Sequence, residues 1–271
     1  MIFSKKIIKL SMALINVNGV DINYIDSGSG TPVVLLHGLG SSNRDWDLQI
    51  PVLAQKFRVI APDLRAHGHS TRVPEKQGVE YMMEDIFQLL KKTGISKANM
   101  VGFSMGGAVS FELAYQHPEI VDKMIIINSS PDFNNSNSTG IDLLAERTEV
   151  IKTKGFHALA EKIATGMFPE EHQKTWRESF QKRVVSNDED AYLLTFGELM
   201  KWGLGTRLKE ISHKTLIITS DHDYTSVEYK RSYQEKMKNA ALVVINNSRH
   251  GVVLDGAEQL NREILNFLLN G

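Results

Sequence analysis

Short apolar runs alternate with helical patterns along much of this chain, and this alternation restricts the possible folds more than any other feature. The runs predict buried strands at Ala13–Val17, Asp21–Asp26, Val33–Leu36, Phe57–Ala61, Asn99–Phe103 and Lys123–Asn128. The helical patterns lie at roughly Arg44–Gln55, Glu80–Lys92 and Gly106–His117. The first two strands flank Asn18-Gly19, a strong signal for a two-residue hairpin. We therefore predict an α/β fold, with a mostly parallel central sheet and helices on both faces.

The alternation stops after Pro131 and resumes some eighty residues later. Residues 132–140 are rich in Asn, Ser and Gly and predict a loop, and residues 141–209 have helical periodicity with no good strand. The pattern then returns as Thr215–Thr219, Val227–Lys238, Ala241–Ile245 and Ala257–Leu269. We predict an α/β core over residues 13–131 and 210–271, a helical cap over 132–209 and an N-terminal extension over 1–12.

Composition removes several classes of function. The 31 Lys and Arg residues nearly balance the 32 Asp and Glu residues, so no basic field favours nucleic-acid binding. The absence of cysteine excludes a disulfide scaffold, a thiolate metal site and a cysteine nucleophile. No apolar stretch is long enough for a membrane span, and Lys9 interrupts the apolar residues of the N-terminus, which argues against a signal peptide. We expect a cytoplasmic protein, with Met12 as an alternative start to Met1.

A Gly-x-Ser-x-Gly pattern marks the candidate nucleophile, Ser104. Residues 102–106 read Gly-Phe-Ser-Met-Gly and lie directly between a predicted buried strand and a predicted helix. A tight turn in that context presents the serine hydroxyl at the carboxyl end of the sheet. The helix N-terminus then offers amide donors, including that of Met105, to a developing negative charge.

The candidate base and acid lie in two later loops, each of which follows a predicted strand. His250 follows the last strand, and Asp221 and Asp223 follow the one before it. The order serine, acid, histidine is that of a nucleophile-elbow hydrolase, and one aspartate is expected to orient the imidazole. Spacing alone does not choose between the two aspartates.

Metal and cofactor binding have weaker signals. His67-x-His69 and the run at 221–223 contain ligand-type residues, but no third ligand stands at a recognisable spacing. We therefore expect no metal and no cofactor. The loop at residues 37–40, His-Gly-Leu-Gly, follows a strand and is suited to direct a backbone amide at a substrate oxygen, with His37 bracing the loop.

Together these residues resemble the α/β-hydrolase superfamily, and are most similar to its small bacterial esterases, enol-lactonases and carbon–carbon hydrolases. The resemblance rests on His37-Gly38, on residues 63–70, on residues 102–107, on Asp223 and on His250. It implies Ser104 as nucleophile, His250 as base and backbone oxyanion donors at Leu39 and Met105. A Gly-x-x-Asp pattern common in the family selects Asp223 as the acid, although Ser220 replaces the glycine here. Family members also commonly have glycine at the position of Ala66.

The resemblance also implies a cap over the active site and a substrate pocket beneath it. We assign His37, Phe168, Phe196 and Trp202 to that pocket, although apolar residues at helical spacing also fit the core of a cap. The expected reaction is hydrolysis of a small-molecule carboxylic ester or lactone through an acyl-enzyme on Ser104. Carbon–carbon bond hydrolysis, acyl transfer or perhydrolysis by the same triad is the alternative, as is a ligand-sensing protein with little turnover.

Overall fold

A single eight-stranded sheet forms the centre of the molecule. The computed structural model describes residues 11–73, 76–134 and 142–270. The strands are β1 Ser11–Val17, β2 Val20–Gly28, β3 Pro32–Leu36, β4 Arg58–Pro62, β5 Ala98–Phe103, β6 Val121–Ile127, β7 Lys214–Ser220 and β8 Ala240–Ile245. Their spatial order is β1-β2-β4-β3-β5-β6-β7-β8. Strand β2 pairs antiparallel with both of its neighbours, and the pairings from β4 through β8 are parallel, which confirms the predicted sheet.

The predicted hairpin joins the first two strands. Val17 pairs with Val20 across the turn, and the two turn residues have positive φ angles, 52° at Asn18 and 78° at Gly19. A type I′ turn needs positive φ at both positions, which asparagine and glycine tolerate best.

Helices cover both faces of the sheet. They are α1 Ile50–Leu53, α2 Val79–Lys92, α3 Met105–Gln116, α4 Leu143–Lys154, α5 Phe156–Met167, α6 Lys174–Val185, α7 Glu189–Lys201, α8 Val227–Gln234, α9 Val252–Asp255 and α10 Ala257–Asn270. Because side chains of a strand alternate between faces, Val34 and Leu36 join a core with α2 and α3, whereas Val33 and Leu35 join a second core with α9 and α10.

Two predicted boundaries differ from the structure. The single helix expected over Arg44–Gln55 is instead a 3₁₀ turn at Asn43–Trp46 followed by the one-turn helix α1. Pro51 explains the break, because its ring clashes with the carbonyl four residues earlier and it has no N–H. Residues 11 and 12 of the predicted N-terminal extension belong to β1, while residues 1–10, and 135–140 of the predicted loop, lie outside the described residues.

Helices α4–α7 occupy the stretch between β6 and β7 where the alternation of strands and helices was lost. They pack on one another and on the loop after β3. Arg183 of α6 lies 3.2 Å from the carboxylate of Asp45, and the Asn187 amide donates to the Gly40 carbonyl at 2.8 Å. The helical segment is thus attached to the loop that follows β3. Within residues 11–73, 76–134 and 142–270, no helix has the length and apolar character needed to cross a membrane.

Candidate active site

Ser104 lies in the sharp turn between β5 and α3. Its φ of 52° and ψ of −118° are strained for a residue with a side chain. The Ser104 N–H donates to the Ile127 carbonyl at 2.9 Å, and its carbonyl accepts from the Ser129 hydroxyl at 2.6 Å. These bonds hold the strained turn, so the hydroxyl is presented at the carboxyl end of β5.

The glycines around Ser104 are required by close backbone contacts. A Cβ at Gly102 would overlap the Gly106 carbonyl oxygen, and a Cβ at Gly106 would overlap the Leu36 carbonyl oxygen. A Cβ at Gly107 would meet the Ser129 side chain. The turn therefore has no room for side chains beside the serine.

His250 connects Ser104 with Asp223. Its Nε2 lies 3.0 Å from the Ser104 Oγ, and its Nδ1 lies 2.5 Å from an Asp223 carboxylate oxygen. Because the carboxylate only accepts, Nδ1 carries the proton and Nε2 is left to accept from the serine hydroxyl. The Tyr224 ring stacks on the imidazole with centroids 4.2 Å apart. The three residues thus have the contacts that a serine–histidine–acid triad requires.

The second oxygen of Asp223 accepts a hydrogen bond from a fully buried lysine. The Lys230 ammonium, on α8, lies 2.7 Å from that oxygen and also bonds to Thr225. Burial alone would raise the pKa of the Asp223 carboxyl, but the charges of His250 and Lys230 and their hydrogen bonds hold it well below its ordinary value. Asp223 is therefore ionised and fixed at both oxygens.

Asp221 binds backbone groups, whereas Asp223 binds the His250 ring. Its carboxylate accepts from the N–H groups of Asn247 and Ser248 at 2.8 and 3.1 Å. Burial by itself would raise the pKa of the Asp221 carboxyl, but these hydrogen bonds outweigh it, and the pKa is lowered. This carboxylate braces the loop that precedes His250 and does not contact the imidazole ring.

Ser220 and Asn128 fix the backbone beside the histidine. The Ser220 hydroxyl donates to the Arg249 carbonyl at 2.6 Å, and the Asn128 amide donates to the His250 carbonyl at 3.0 Å and to the Ser220 hydroxyl at 2.7 Å. The serine that replaces the family's glycine thus supports the loop of His250.

Leu39 and Met105, whose N–H groups are the predicted oxyanion donors, lie beside this triad. Both residues border Ser104 in the fold, Met105 as the first residue of α3 and Leu39 on the wall of the adjoining cavity. Neither N–H donates to a protein acceptor in the part of the chain that the structure describes, as expected for the free first amides of a helix in the case of Met105. The loop of Leu39 is held by Asp45, which accepts from the Gly38 N–H at 3.2 Å and from the Ser41 hydroxyl at 2.5 Å.

A cavity of about 180 Å³ adjoins the triad. Ser104, His250 and Asp223 lie on its wall together with Tyr224. The helical segment contributes a mostly apolar wall made of Leu143, Ile163, Met167, Phe180, Val184 and Phe196. Such a cavity suits a small molecule with an apolar part.

Of the four residues assigned to the pocket from sequence, the structure places only Phe196 on the cavity wall. Phe168 is fully buried against the rings of Trp176 and Phe180, and Trp202 is buried with its indole N–H bonded to Glu112 at 2.9 Å. The structure does not place these two side chains on the cavity wall, and their apolar periodicity corresponds to packing within the protein.

His37 is the fourth of these residues and serves as a brace. Its Nδ1 bonds to the Gly38 carbonyl at 2.8 Å and its Nε2 accepts from the Leu64 N–H at 2.9 Å. Burial lowers the pKa of His37, in agreement with an Nε2 that must stay unprotonated to accept. His37 therefore supports the loop of Leu39 through hydrogen bonds and is not among the residues that line the described cavity.

Among the residues of the site that the sequence analysis missed are Lys230, Tyr224 and Arg147, of which Arg147, in α4, also lies on the cavity wall. Lys230 and Arg147 belong to helical patterns in which a basic residue ordinarily faces solvent. Tyr224 is adjacent to Asp223 in sequence, and that proximity was the one available signal.

The fold and this site together define a member of the α/β hydrolases. Residues 31–257 match the family model described as the alpha/beta hydrolase fold, and the chain belongs to that family.

Relatives and solved structures extend over nearly the whole chain. The chain is 24% identical over 260 residues to a putative carbamate hydrolase RutD from Rhizobium rhizogenes, covering 92% of this chain and 96% of the relative. A bromoperoxidase from Bacillus anthracis superposes with a TM-score of 0.87 at 25% identity, covering 96% and 99% of the two chains. The enol-lactonase from Burkholderia xenovorans superposes with a TM-score of 0.85 at 24% identity, covering 94% and 99%. These names span several chemistries, so the likeness supports the fold and leaves the substrate to the site itself.

Proposed function

We propose that the protein is a serine hydrolase that cleaves a carboxylic ester or lactone through an acyl-enzyme on Ser104. The observation that carries the proposal is the continuous path from the Ser104 hydroxyl through His250 to Asp223, with atoms 3.0 and 2.5 Å apart. Nucleophile, base and orienting acid are the groups that this chemistry needs.

The first half-reaction forms the acyl-enzyme. The Ser104 Oγ attacks the carbonyl carbon while His250 Nε2 takes the hydroxyl proton. Asp223 stabilises the imidazolium, and the N–H groups of Leu39 and Met105 donate to the oxyanion. The tetrahedral intermediate then collapses, the bond to the alcohol oxygen breaks, and that oxygen takes the proton from Nε2.

The second half-reaction releases the acid. A water molecule loses a proton to His250 Nε2 and attacks the acyl carbon. The bond to the Ser104 oxygen breaks, and that oxygen regains the proton from Nε2. The free enzyme is restored without a cofactor.

Helices α4–α7 act in this proposal as a cap that selects the substrate. They contribute most of the apolar cavity wall, and Asn187 and Arg183 attach them to the loop of Leu39. Contacts far from the reacting bond orient it over the nucleophile and thereby raise kcat.

A fluorophosphonate probe combined with turnover assays tests the assignment. Wild type is expected to be labelled at Ser104, and Ser104→Ala is expected to lose labelling and about 10³-fold or more in kcat. Ser110→Ala is the matched control, because that serine is buried in α3, the helix that follows Ser104, and its hydroxyl bonds to the Gly106 carbonyl. Labelling that persists in Ser104→Ala would refute the assignment.

A panel of aryl esters, lactones and diketones distinguishes the alternatives. Fast turnover of esters or lactones supports the proposal, while turnover of diketones alone would indicate carbon–carbon bond hydrolysis. Negligible turnover of every substrate would favour a ligand-sensing protein.

A further inference from the structure

Arg147 places a positive charge on the wall of the cavity that holds the triad. Arg147 belongs to α4 and lines the same cavity as Ser104 and His250. Its guanidinium donates to the Tyr192 hydroxyl at 2.5 Å and lies 3.8 Å above the centre of the Phe196 ring. These two aromatic side chains hold the guanidinium in place at the cavity that also contains Ser104 and His250.

No protein carboxylate compensates this charge among the described residues. Arg177, Arg183 and Arg207, in the same stretch between β6 and β7, each form an ion pair with Glu or Asp. For Arg147 no such pair occurs within the described ranges. Burial raises the pKa of Tyr192, so its hydroxyl is neutral and leaves the positive charge unbalanced.

Arg147 is half-buried beside a mostly apolar cavity, so its charge is only partly hydrated, and a ligand that supplies the opposite charge is favoured there. A guanidinium presents a planar set of donors that matches a carboxylate and binds it through two parallel hydrogen bonds. Because the charge and the nucleophile share one small cavity, a single small molecule is able to contact both.

We propose that Arg147 binds a carboxylate of the substrate, so that the natural substrate is an ester or lactone carrying a second, ionised carboxyl group. This inference rests on the proposed hydrolase activity, and it names the substrate class of the same site. The apolar wall implies that a hydrocarbon linker separates the carboxylate from the scissile bond.

Two pairs of isosteric esters test the proposal. Monophenyl glutarate and phenyl 5-methylhexanoate differ only in a carboxylate on the acyl side, and 4-acetoxybenzoate and 4-isopropylphenyl acetate differ only in a carboxylate on the alcohol side. The readout is the ratio of kcat/KM for the anionic ester to that for its neutral partner. In at least one pair, Arg147→Met is expected to lower this ratio about tenfold or more, as loss of a charged hydrogen bond does.

Two further variants control for charge and geometry. Arg147→Lys is expected to recover part of the ratio, because lysine keeps the charge but lacks the planar donors. Arg177→Met removes an arginine of α6 that does not line the cavity, and it is expected to keep the wild-type ratio. A ratio that Arg147→Met leaves unchanged in both pairs would overturn the proposal, as would an equal fall in Arg177→Met.

Calorimetric binding of monophenyl glutarate and 4-acetoxybenzoate to Ser104→Ala protein separates this proposal from the hydrolase assignment. At least one ester is expected to bind, and adding Arg147→Met is expected to weaken it about tenfold or more. Binding that depends on Arg147, without turnover by wild type, would refute the hydrolase and keep the anion site. If neither ester binds more tightly to Ser104→Ala than to the double variant, the anion site is refuted even when wild type hydrolyses esters.

Discussion

Asp221 and Asp223 are two positions apart in sequence, but their carboxylates have different hydrogen-bond partners. Asp223 contacts the imidazole of His250 and is held in place by Lys230, whereas Asp221 accepts from backbone N–H groups of the loop before His250. A turn at residues 220–223, closed by the Asp223 N–H and the Ser220 carbonyl, directs the two side chains to different partners. A single turn thus supplies both the partner of the His250 ring and a brace for the loop that precedes His250.

Replacing each aspartate with asparagine tests whether Asp223, and not Asp221, is the residue on which activity depends. Asp223→Asn is expected to lower kcat by about 10⁴-fold, because the amide favours the wrong tautomer of His250. Asp221→Asn keeps an oxygen that accepts one loop N–H, so we expect a loss of about tenfold or less, with a lower melting temperature. Steady-state kinetics on aryl esters provide the comparison, and a greater loss in Asp221→Asn would reverse the assignment of the acid.

At the scale of elements, two large aromatic residues of the stretch between β6 and β7 have different surroundings. Phe196 faces the cavity and supports the Arg147 guanidinium. Trp202, directly after α7, is buried against Phe133 and bonded to Glu112. The two residues are six positions apart in sequence, yet only Phe196 lies on the wall of the described cavity.

The variants Phe196→Ala and Trp202→Ala are expected to separate specificity from stability. Phe196→Ala enlarges the cavity and is expected to change the ranking of short and long acyl esters by kcat/KM. Trp202→Ala is expected to lower the unfolding free energy by about 3–5 kcal/mol, as loss of a buried tryptophan does, and to keep the ranking. Melting temperatures and a chain-length series give both readouts. A ranking changed by Trp202→Ala and not by Phe196→Ala would contradict the observed orientation of the two rings.

On the scale of the whole molecule, buried histidines connect stability to pH. His67 and His37 lie 5.3 Å apart between ring centroids, and both are buried. Burial, aided by the neighbouring His37, lowers the pKa of His67 to about 3. The unfolded chain, with a histidine pKa of about 6.5, binds a proton below that pH that folded His67 does not bind. Stability is therefore lost as pH falls from about 6.5 towards 3.

This loss is measurable by denaturant unfolding at pH 7 and pH 5. One proton gained only on unfolding costs about 1.4 kcal/mol per pH unit below pH 6.5, or about 2 kcal/mol by pH 5, from His67 alone. His67→Gln is expected to remove that share, while His69→Gln, at an exposed neighbouring position, is expected to retain the wild-type dependence. Equal pH dependence in wild type and His67→Gln would contradict the prediction.

The local pattern of the chain was sufficient to predict the sheet and the turn of Ser104. Apolar runs report strands that are buried on both faces, and the glycines at 102 and 106 report a backbone packed too closely for a Cβ. Both signals are written in short runs of residue types, which is why they could be read directly from the sequence.

Long-range packing determined the rest. Apolar periodicity shows that Phe168, Phe196 and Trp202 are buried, but a buried ring contacts either the protein core or a cavity, and only the assembled helices decide which. Lys230 and Arg147 reach their partners because helices α8 and α4 pack where they do. Only the tertiary contacts decide which charged side chains lie near Ser104, whereas the turn that carries Ser104 is marked in the sequence by its own glycines, although Ile127 and Ser129 hold it in the folded protein.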